Sequence, residues 1–88
     1  MDDAQLEQTL FALLFQRSTT TSICPSEVAR AAVPDGWRAL MPQVRAVASR
    51  LALQGRVHIT QRGQVVAPEG PWRGPIRIRL TTQMLQKE

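Results

Sequence analysis

The spacing of apolar residues predicts helices in the first half of the chain. Across residues 3–16, leucines recur at three- and four-residue steps, which predicts an amphipathic helix with one buried face. Pro25 suits the first turn of a second helix, because the N–H that proline lacks has no helical partner there. Residues 37–54 form a third helical region. It is either two pieces or a helix starting near Pro42, since proline disrupts a helix interior.

In the second half of the chain the pattern changes to alternation, which predicts strands. Two short alternating segments within residues 56–67 flank a glycine-containing turn and predict a β-hairpin. Residues 68–75 are rich in proline and glycine and predict an extended loop. Residues 76–80 alternate apolar residues with arginine, which predicts a half-buried strand. We expect the tail, residues 81–88, to form a short or frayed helix.

The order of these elements predicts an α+β fold of the winged helix-turn-helix type. Three helices are followed by a β-hairpin wing and a C-terminal strand, and in such domains the third helix lies in a groove of the nucleic acid. An 88-residue chain has enough interior for one core, so residues 1–88 are expected to form a single domain. The same order also describes other small α+β folds, and this alternative stays open.

Four sequence blocks resemble a small bacterial domain family of unknown function with a winged-helix fold. They are CPSEVAR (24–30), WRALMPQVRAVASRLALQGRV (37–57), TQRGQVV (60–66) and GPIRIRL (74–80). The resemblance covers residues 6–80 and keeps the family's order and spacing. It implies the winged-helix fold, but the family has no established activity to carry over, and a fold by itself does not define a function.

Charge is divided unevenly along the chain. Residues 1–35 hold five acidic residues against two arginines, a net charge of −3. Residues 36–79 hold eight arginines against Glu69 alone, a net charge of +7. Such asymmetry in a small domain indicates one face for an anionic partner, most often nucleic acid. The alternative is a set of solvated arginines that keep the protein soluble and form surface ion pairs of little energetic value.

The leading functional hypothesis is binding of double-stranded DNA by helix 42–54 and hairpin 56–67. The outward arc of that helix carries donors suited to base edges and phosphates, and an arginine stands at the hairpin tip. The hypothesis requires these cations to form one continuous positive surface around a presented helix. The side chains expected to contact the nucleic acid are Arg38, Gln43, Arg45, Ser49, Arg50 and Arg62.

A second hypothesis is a protein-interaction or homodimerisation module that uses segment 68–80. Trp72, Arg73, Arg77 and Arg79 would form its contact surface. The arginines that alternate along the strand also suit an edge strand protected from aggregation by charge. Trp72 and the other tryptophan would stack bases of a single strand or, as we favour, pack at the edge of a core poor in aromatic residues.

The sequence offers little for catalysis or for metal binding. Cys24 stands at a predicted helix N-terminus, which admits a thiol switch, but His58 is the only histidine and we favour a structural role for the cysteine. One cysteine and one histidine do not complete a tetrahedral metal site, and no phosphate-binding loop is present. We therefore expect no enzyme activity, no cofactor and no metal. We also expect a cytoplasmic protein, because no apolar run approaches a membrane span.

Overall fold

The computed structural model describes residues 2–17 and 21–81 of the chain. Within these ranges, three α-helices and one 3₁₀ turn precede a small antiparallel sheet of three strands. This confirms the α+β prediction and is compatible with a winged-helix-like arrangement. The elements are α1 (Asp3–Gln16), α2 (Pro25–Ala32), a 3₁₀ turn (Trp37–Leu40), α3 (Met41–Leu53), β1 (Val57–Gln61), β2 (Gln64–Val65) and β3 (Arg77–Leu80).

Each helix begins where the local sequence satisfies or removes free N–H groups. The Asp2 side chain accepts a hydrogen bond from the Gln5 N–H at 2.8 Å, and the Gln5 side chain accepts one from the Asp2 N–H at 3.1 Å. This reciprocal pair is a capping box, and it fixes the start of α1. Pro42 lies in the first turn of α3, directly after the 3₁₀ turn. The two alternatives left open for residues 37–54 thus occur together: a separate 3₁₀ turn, and a helix with Pro42 in its first turn.

The sheet is centred on β1, with the strand order β2-β1-β3. Arg62 and Gly63 both have positive φ, 52° and 80°, and such a pair of left-handed residues forms the tight turn that joins the two hairpin strands. β2 is shorter than the predicted segment 64–67, although the Val66 N–H still donates to the Ile59 carbonyl at 2.9 Å. On the other side of β1, β3 pairs in antiparallel register, with Thr60 opposite Arg77.

The hydrophobic core lies between the helices and one face of the sheet. On β3, Ile78 and Leu80 are buried, whereas Arg77 and Arg79 are exposed, as the alternation predicted. Ile23, just before α2, bridges to Ile78 with both N–H···O distances at 2.8 Å, and so ties the helical layer to β3. The outer face of the sheet is consequently cationic, since the core takes every apolar position of β3.

Two further expectations meet the structure only in part. The C-terminal strand begins at Arg77 rather than at Ile76, although Ile76 is fully buried beside it. From residue 82 onward, the predicted tail helix lies outside the described residues. Among the helices that are described, none combines the length and the apolar character needed to cross a bilayer.

Candidate anion-binding surface

Segment 68–74 packs against part of the outward arc predicted for α3. Arg45 donates to the carbonyl oxygens of Trp72 and Gly74, at 3.2 and 2.9 Å. One turn further along the helix, the Ser49 hydroxyl donates to the Pro68 carbonyl oxygen at 2.6 Å. These three hydrogen bonds fasten the loop to the helix, and both α3 side chains are half-buried. Arg45 and Ser49, two of the predicted nucleic-acid contacts, therefore make hydrogen bonds within the molecule.

The opposite flank of α3 is engaged by the N-terminal helix. Gln43 donates to the Asp3 carboxylate at 2.9 Å, and Arg50 pairs with Glu7 at 3.2 Å. Arg56, which follows α3, pairs with the second oxygen of Glu7 at 3.0 Å. One carboxylate on α1 thus neutralises two arginines of the basic half of the chain.

The expected continuous positive surface around α3 therefore needs correction. Arg45 donates hydrogen bonds to loop carbonyl oxygens, and Arg50 forms an ion pair with Glu7. The guanidinium of Arg38 lies 4.6 Å from the centre of the Trp37 ring. Arg30 lies against the same ring at 4.5 Å. The physical reason is that neighbouring elements offer carbonyl, carboxylate and aromatic partners to each cation. Sequence periodicity places side chains on an arc, but it does not reveal what packs against that arc.

A different group of arginines remains available to solvent. We call Arg62, Arg73, Arg77 and Arg79 the arginine face; they lie at the hairpin tip, in the loop before β3 and on the outer side of β3. All four residues are exposed. The side chains of Arg62, Arg73 and Arg79 make no hydrogen bond or ion pair with any described residue. Within the described residues, no member of the arginine face therefore forms an ion pair with an acid.

Arg77 is the one member of the arginine face that is held in place. Its Nε donates to the Ser22 hydroxyl at 2.6 Å, and one Nη donates to the Ser22 carbonyl oxygen at 2.8 Å. A guanidinium has five N–H donors, so these bonds orient the group and leave donors for a ligand. Ser22 precedes the Ile23 bridge, so the strand pairing that places Ile23 also positions this arginine.

Three of these arginines line one groove between the hairpin and the loop before β3. The groove has a volume of about 610 Å³, and Gln61 builds one of its walls. The Gln61 side-chain amide donates to the carbonyl oxygens of Arg73 and Pro75, at 2.7 and 3.3 Å, which holds the loop beside the hairpin. The lining residues are Thr60, Gln61, Arg62, Arg73, Gly74, Pro75 and Arg77.

Acidic groups near the arginine face are few among the described residues. Glu27, at the start of α2, interacts electrostatically with one member, Arg77. Desolvation there opposes ionisation, but the Cys24 N–H, the Arg17 guanidinium and the charge of Arg77 outweigh it and hold the pKa of Glu27 below its ordinary value. Glu69, the acid of the basic half, lines a separate groove beside α3. The positive potential of the arginine face is thus little offset by neighbouring acids.

The two tryptophans and Cys24, the remaining candidates from the sequence, all make contacts within the fold. Trp72 is half-buried against the core, and its indole N–H donates to the Ala67 carbonyl oxygen at 2.7 Å. Trp37 also packs against the core. Cys24 is the N-cap of α2 and accepts a hydrogen bond from the Ser26 hydroxyl at 3.2 Å. In the described part of the chain, no three potential metal ligands come together.

The arginines that share a surface in the structure were assigned to two separate surfaces from the sequence. The sequence assigned Arg62 to a surface shared with α3, and it assigned Arg73, Arg77 and Arg79 to a separate interaction surface. The structure brings Arg62, Arg73 and Arg77 together at one groove. Gln61 was not singled out, although it joins the hairpin to the loop. Only the tight turn at residues 61–63 signalled that its side chain lies at the hairpin tip.

A comparison with protein-family models places the chain in a known family. Residues 3–81 match the model described as "Protein of unknown function (DUF3253)". A search of curated proteins gave no match. The matched residues include α1, the hairpin and β3, so the family model spans every element of the fold described above. The chain therefore belongs to the DUF3253 family of proteins of unknown function.

Proposed function

We propose that this domain binds double-stranded nucleic acid through its phosphate backbone, with the arginine face as the contact surface. One observation carries the proposal. The arginines whose side chains lack partners among the described residues lie together on the hairpin and beside β3, whereas those on α3 are engaged within the molecule. Of the two contact regions predicted from the sequence, we retain the hairpin and no longer include the outward arc of α3.

Phosphate contacts suit this surface better than base contacts. Arg77 and Arg79 project from the same side of β3, roughly 7 Å apart according to the two-residue strand repeat. Guanidinium groups bind phosphate oxygens in a planar, often bidentate arrangement, and contacts of this kind carry no sequence information by themselves. We therefore expect binding that depends strongly on salt and weakly on sequence.

A duplex is the better partner because both tryptophans are engaged within the fold. Binding of single strands without sequence preference relies on aromatic rings that stack on bases. Two guanidinium groups lie against the Trp37 ring, and the Trp72 indole is hydrogen-bonded to its own loop. The arginine face therefore supplies charge without a stacking platform, which favours a duplex over a single strand.

The test is a fluorescence anisotropy titration of a labelled random-sequence duplex at low salt. Two charge-matched double variants separate the surfaces: Arg73→Gln/Arg79→Gln on the arginine face, and Arg30→Gln/Arg38→Gln beside Trp37. The first should reduce the salt slope by about 1.8, because each lost phosphate contact removes about 0.9 from it. The second should retain the slope and most of the affinity. Equal losses in both variants, or no binding by the folded wild type at roughly 100 μM, would reject the proposal.

A protein-interaction module is the second candidate function, and a groove beside α3 favours it. This groove, of about 490 Å³, is lined by Pro42, Ala46, Pro71 and Trp72 together with neighbouring polar residues. Pro42, Ala46 and Pro71 are exposed on the side away from the core. Sedimentation of the wild type beside an Ala46→Glu variant tests self-association there. A dimer that the variant disrupts would favour this function, and a monomer in both samples would oppose homodimerisation.

A further inference from the structure

Thr60 contributes a hydroxyl group to the groove at the arginine face. Thr60 lies opposite Arg77 across the β1–β3 pairing and is only 5% exposed. Its hydroxyl has no hydrogen-bond partner among the described residues, and within those residues no fully buried side-chain polar atom is left without one. The Thr60 hydroxyl therefore opens into the groove that this residue lines. It is available to donate to an oxygen that enters from solvent.

The groove is also organised before any ligand arrives. Two hydrogen bonds to Ser22 orient the Arg77 guanidinium, and the Gln61 amide holds the loop that carries Arg73. Arg62 occupies a tight turn whose backbone is fixed by two successive left-handed residues. Positioned donors bind more tightly than mobile ones because less conformational entropy is lost on binding.

The charge around the groove exceeds what one backbone phosphate needs. Arg62, Arg73 and Arg77 all line this groove, so three positively charged side chains lie around it. A phosphodiester carries one negative charge, whereas a phosphate monoester carries about −1.5 to −2 at neutral pH and has three strong acceptor oxygens. Because the phosphates of a duplex are spaced along its backbone, a row of cations suits backbone binding better than a cluster around one cavity. The convergence fits a single group of higher charge.

We propose that this groove binds a phosphomonoester group, the terminal phosphate at the end of a nucleic-acid strand. The inference rests on the proposed nucleic-acid function and assigns a preferred position on the duplex. In this arrangement, the three guanidinium groups neutralise the terminal phosphate and the Thr60 hydroxyl donates to one of its oxygens. The volume of about 610 Å³ lies within the range of roughly 300–1,000 Å³ typical of small-ligand sites.

The experiment compares two duplexes that differ only at their ends. One carries a single terminal phosphate on one strand and the other a hydroxyl group at the same end, with one base pair added to the second because its two phosphodiesters roughly match the charge of one phosphomonoester. Anisotropy titrations of the full chain should show about tenfold tighter binding of the phosphorylated duplex, since charge-assisted bonds to the dianion exceed those to a diester. A competition series with inorganic phosphate should weaken binding of the phosphorylated duplex more than that of the other.

Two variants locate the preference in the groove. Thr60→Val keeps the shape of the side chain and removes its hydroxyl, so it should reduce the preference about threefold to tenfold. Arg79→Gln removes a charge of the arginine face that does not line the groove, and it should weaken both duplexes equally.

The possible failures are distinguishable. Equal affinity for the two duplexes would overturn the terminal-phosphate site and leave the proposed backbone binding intact. A preference that survives Thr60→Val unchanged while Arg79→Gln abolishes it would also overturn the site. Absence of binding to either duplex by folded protein would overturn both proposals.

Discussion

The arginines of α3 and those of the arginine face belong to one basic segment, yet the fold uses them differently. Arg45 donates hydrogen bonds to loop carbonyl oxygens, Arg50 forms an ion pair with Glu7, and both residues are half-buried. Arg62 and Arg73 are exposed at the rim of a groove and have no side-chain partner among the described residues. The first pair holds elements together, and the second pair keeps its charge for a ligand.

The difference shows that a cation's role depends on the acceptors that the fold brings to it. Segment 68–74 crosses α3 with its carbonyl groups directed at Arg45 and Ser49. Carbonyl oxygens accept hydrogen bonds without neutralising charge, so Arg45 still contributes to the positive potential of the domain. Its donors, however, are occupied. The arginine face combines the same charge with free donors, and this combination is what phosphate recognition requires.

The largest difference between the two sets should appear in stability. Arg45→Ala removes two charge-assisted hydrogen bonds and the packing of the side-chain stem, so it should lower the free energy of unfolding by about 2 kcal/mol. Arg73→Ala, at an exposed position, should change it by less than about 0.5 kcal/mol. Urea denaturation followed by circular dichroism measures both values. Equal destabilisation by the two variants would remove the distinction between the surfaces.

A smaller effect is expected at the acid that joins α1 to the basic half. Glu7→Gln leaves Arg50 and Arg56 without their charged partner and should destabilise the domain by about 1 kcal/mol, a modest value because all three groups are partly solvated. Charge-matched Glu69→Gln makes a suitable control in the same denaturation experiment. If Glu69→Gln costs as much as Glu7→Gln, the Glu7 pairs do not contribute specifically.

The smallest effect concerns pH and Glu27. The pKa of Glu27 is lowered in the folded chain, so ionised Glu27 stabilises the fold above its unfolded pKa, and this contribution is lost as pH falls through the folded pKa. Glu27→Gln should therefore cost about 0.5 kcal/mol at pH 7 and progressively less below about pH 5. Thermal unfolding of both proteins across this range provides the measurement. A difference that grows on acidification would contradict the assignment.

Much of the fold follows from patterns within short stretches of sequence. Leucine periodicity predicts α1, Pro42 predicts the division of the third helical region, and the alternation of residues 76–80 places Arg77 and Arg79 on one exposed side. Each of these features depends on neighbours in sequence. Local propensity and burial agree there, so the prediction agrees with the structure.

The candidate site was harder to predict because its contacts are distant in sequence. Gln43 meets Asp3 from 40 positions away, and Arg45 meets Trp72 from 27 positions away. Backbone carbonyls are present at every residue, so a carbonyl acceptor has no signature in the sequence. Composition identified a basic half of the chain, but the division between structural and available arginines arises from the path of loop 68–75 across α3.

The arginine face can be tested most directly by a nuclear magnetic resonance titration of the isotope-labelled domain with a short duplex. Backbone amide and arginine Nε–H signals report contacts residue by residue. We expect the signals of the arginine face to shift together, while those of Arg45 and Ser49 on α3 stay nearly unchanged. Large shifts concentrated on α3, with an unperturbed hairpin and β3, would contradict this expectation.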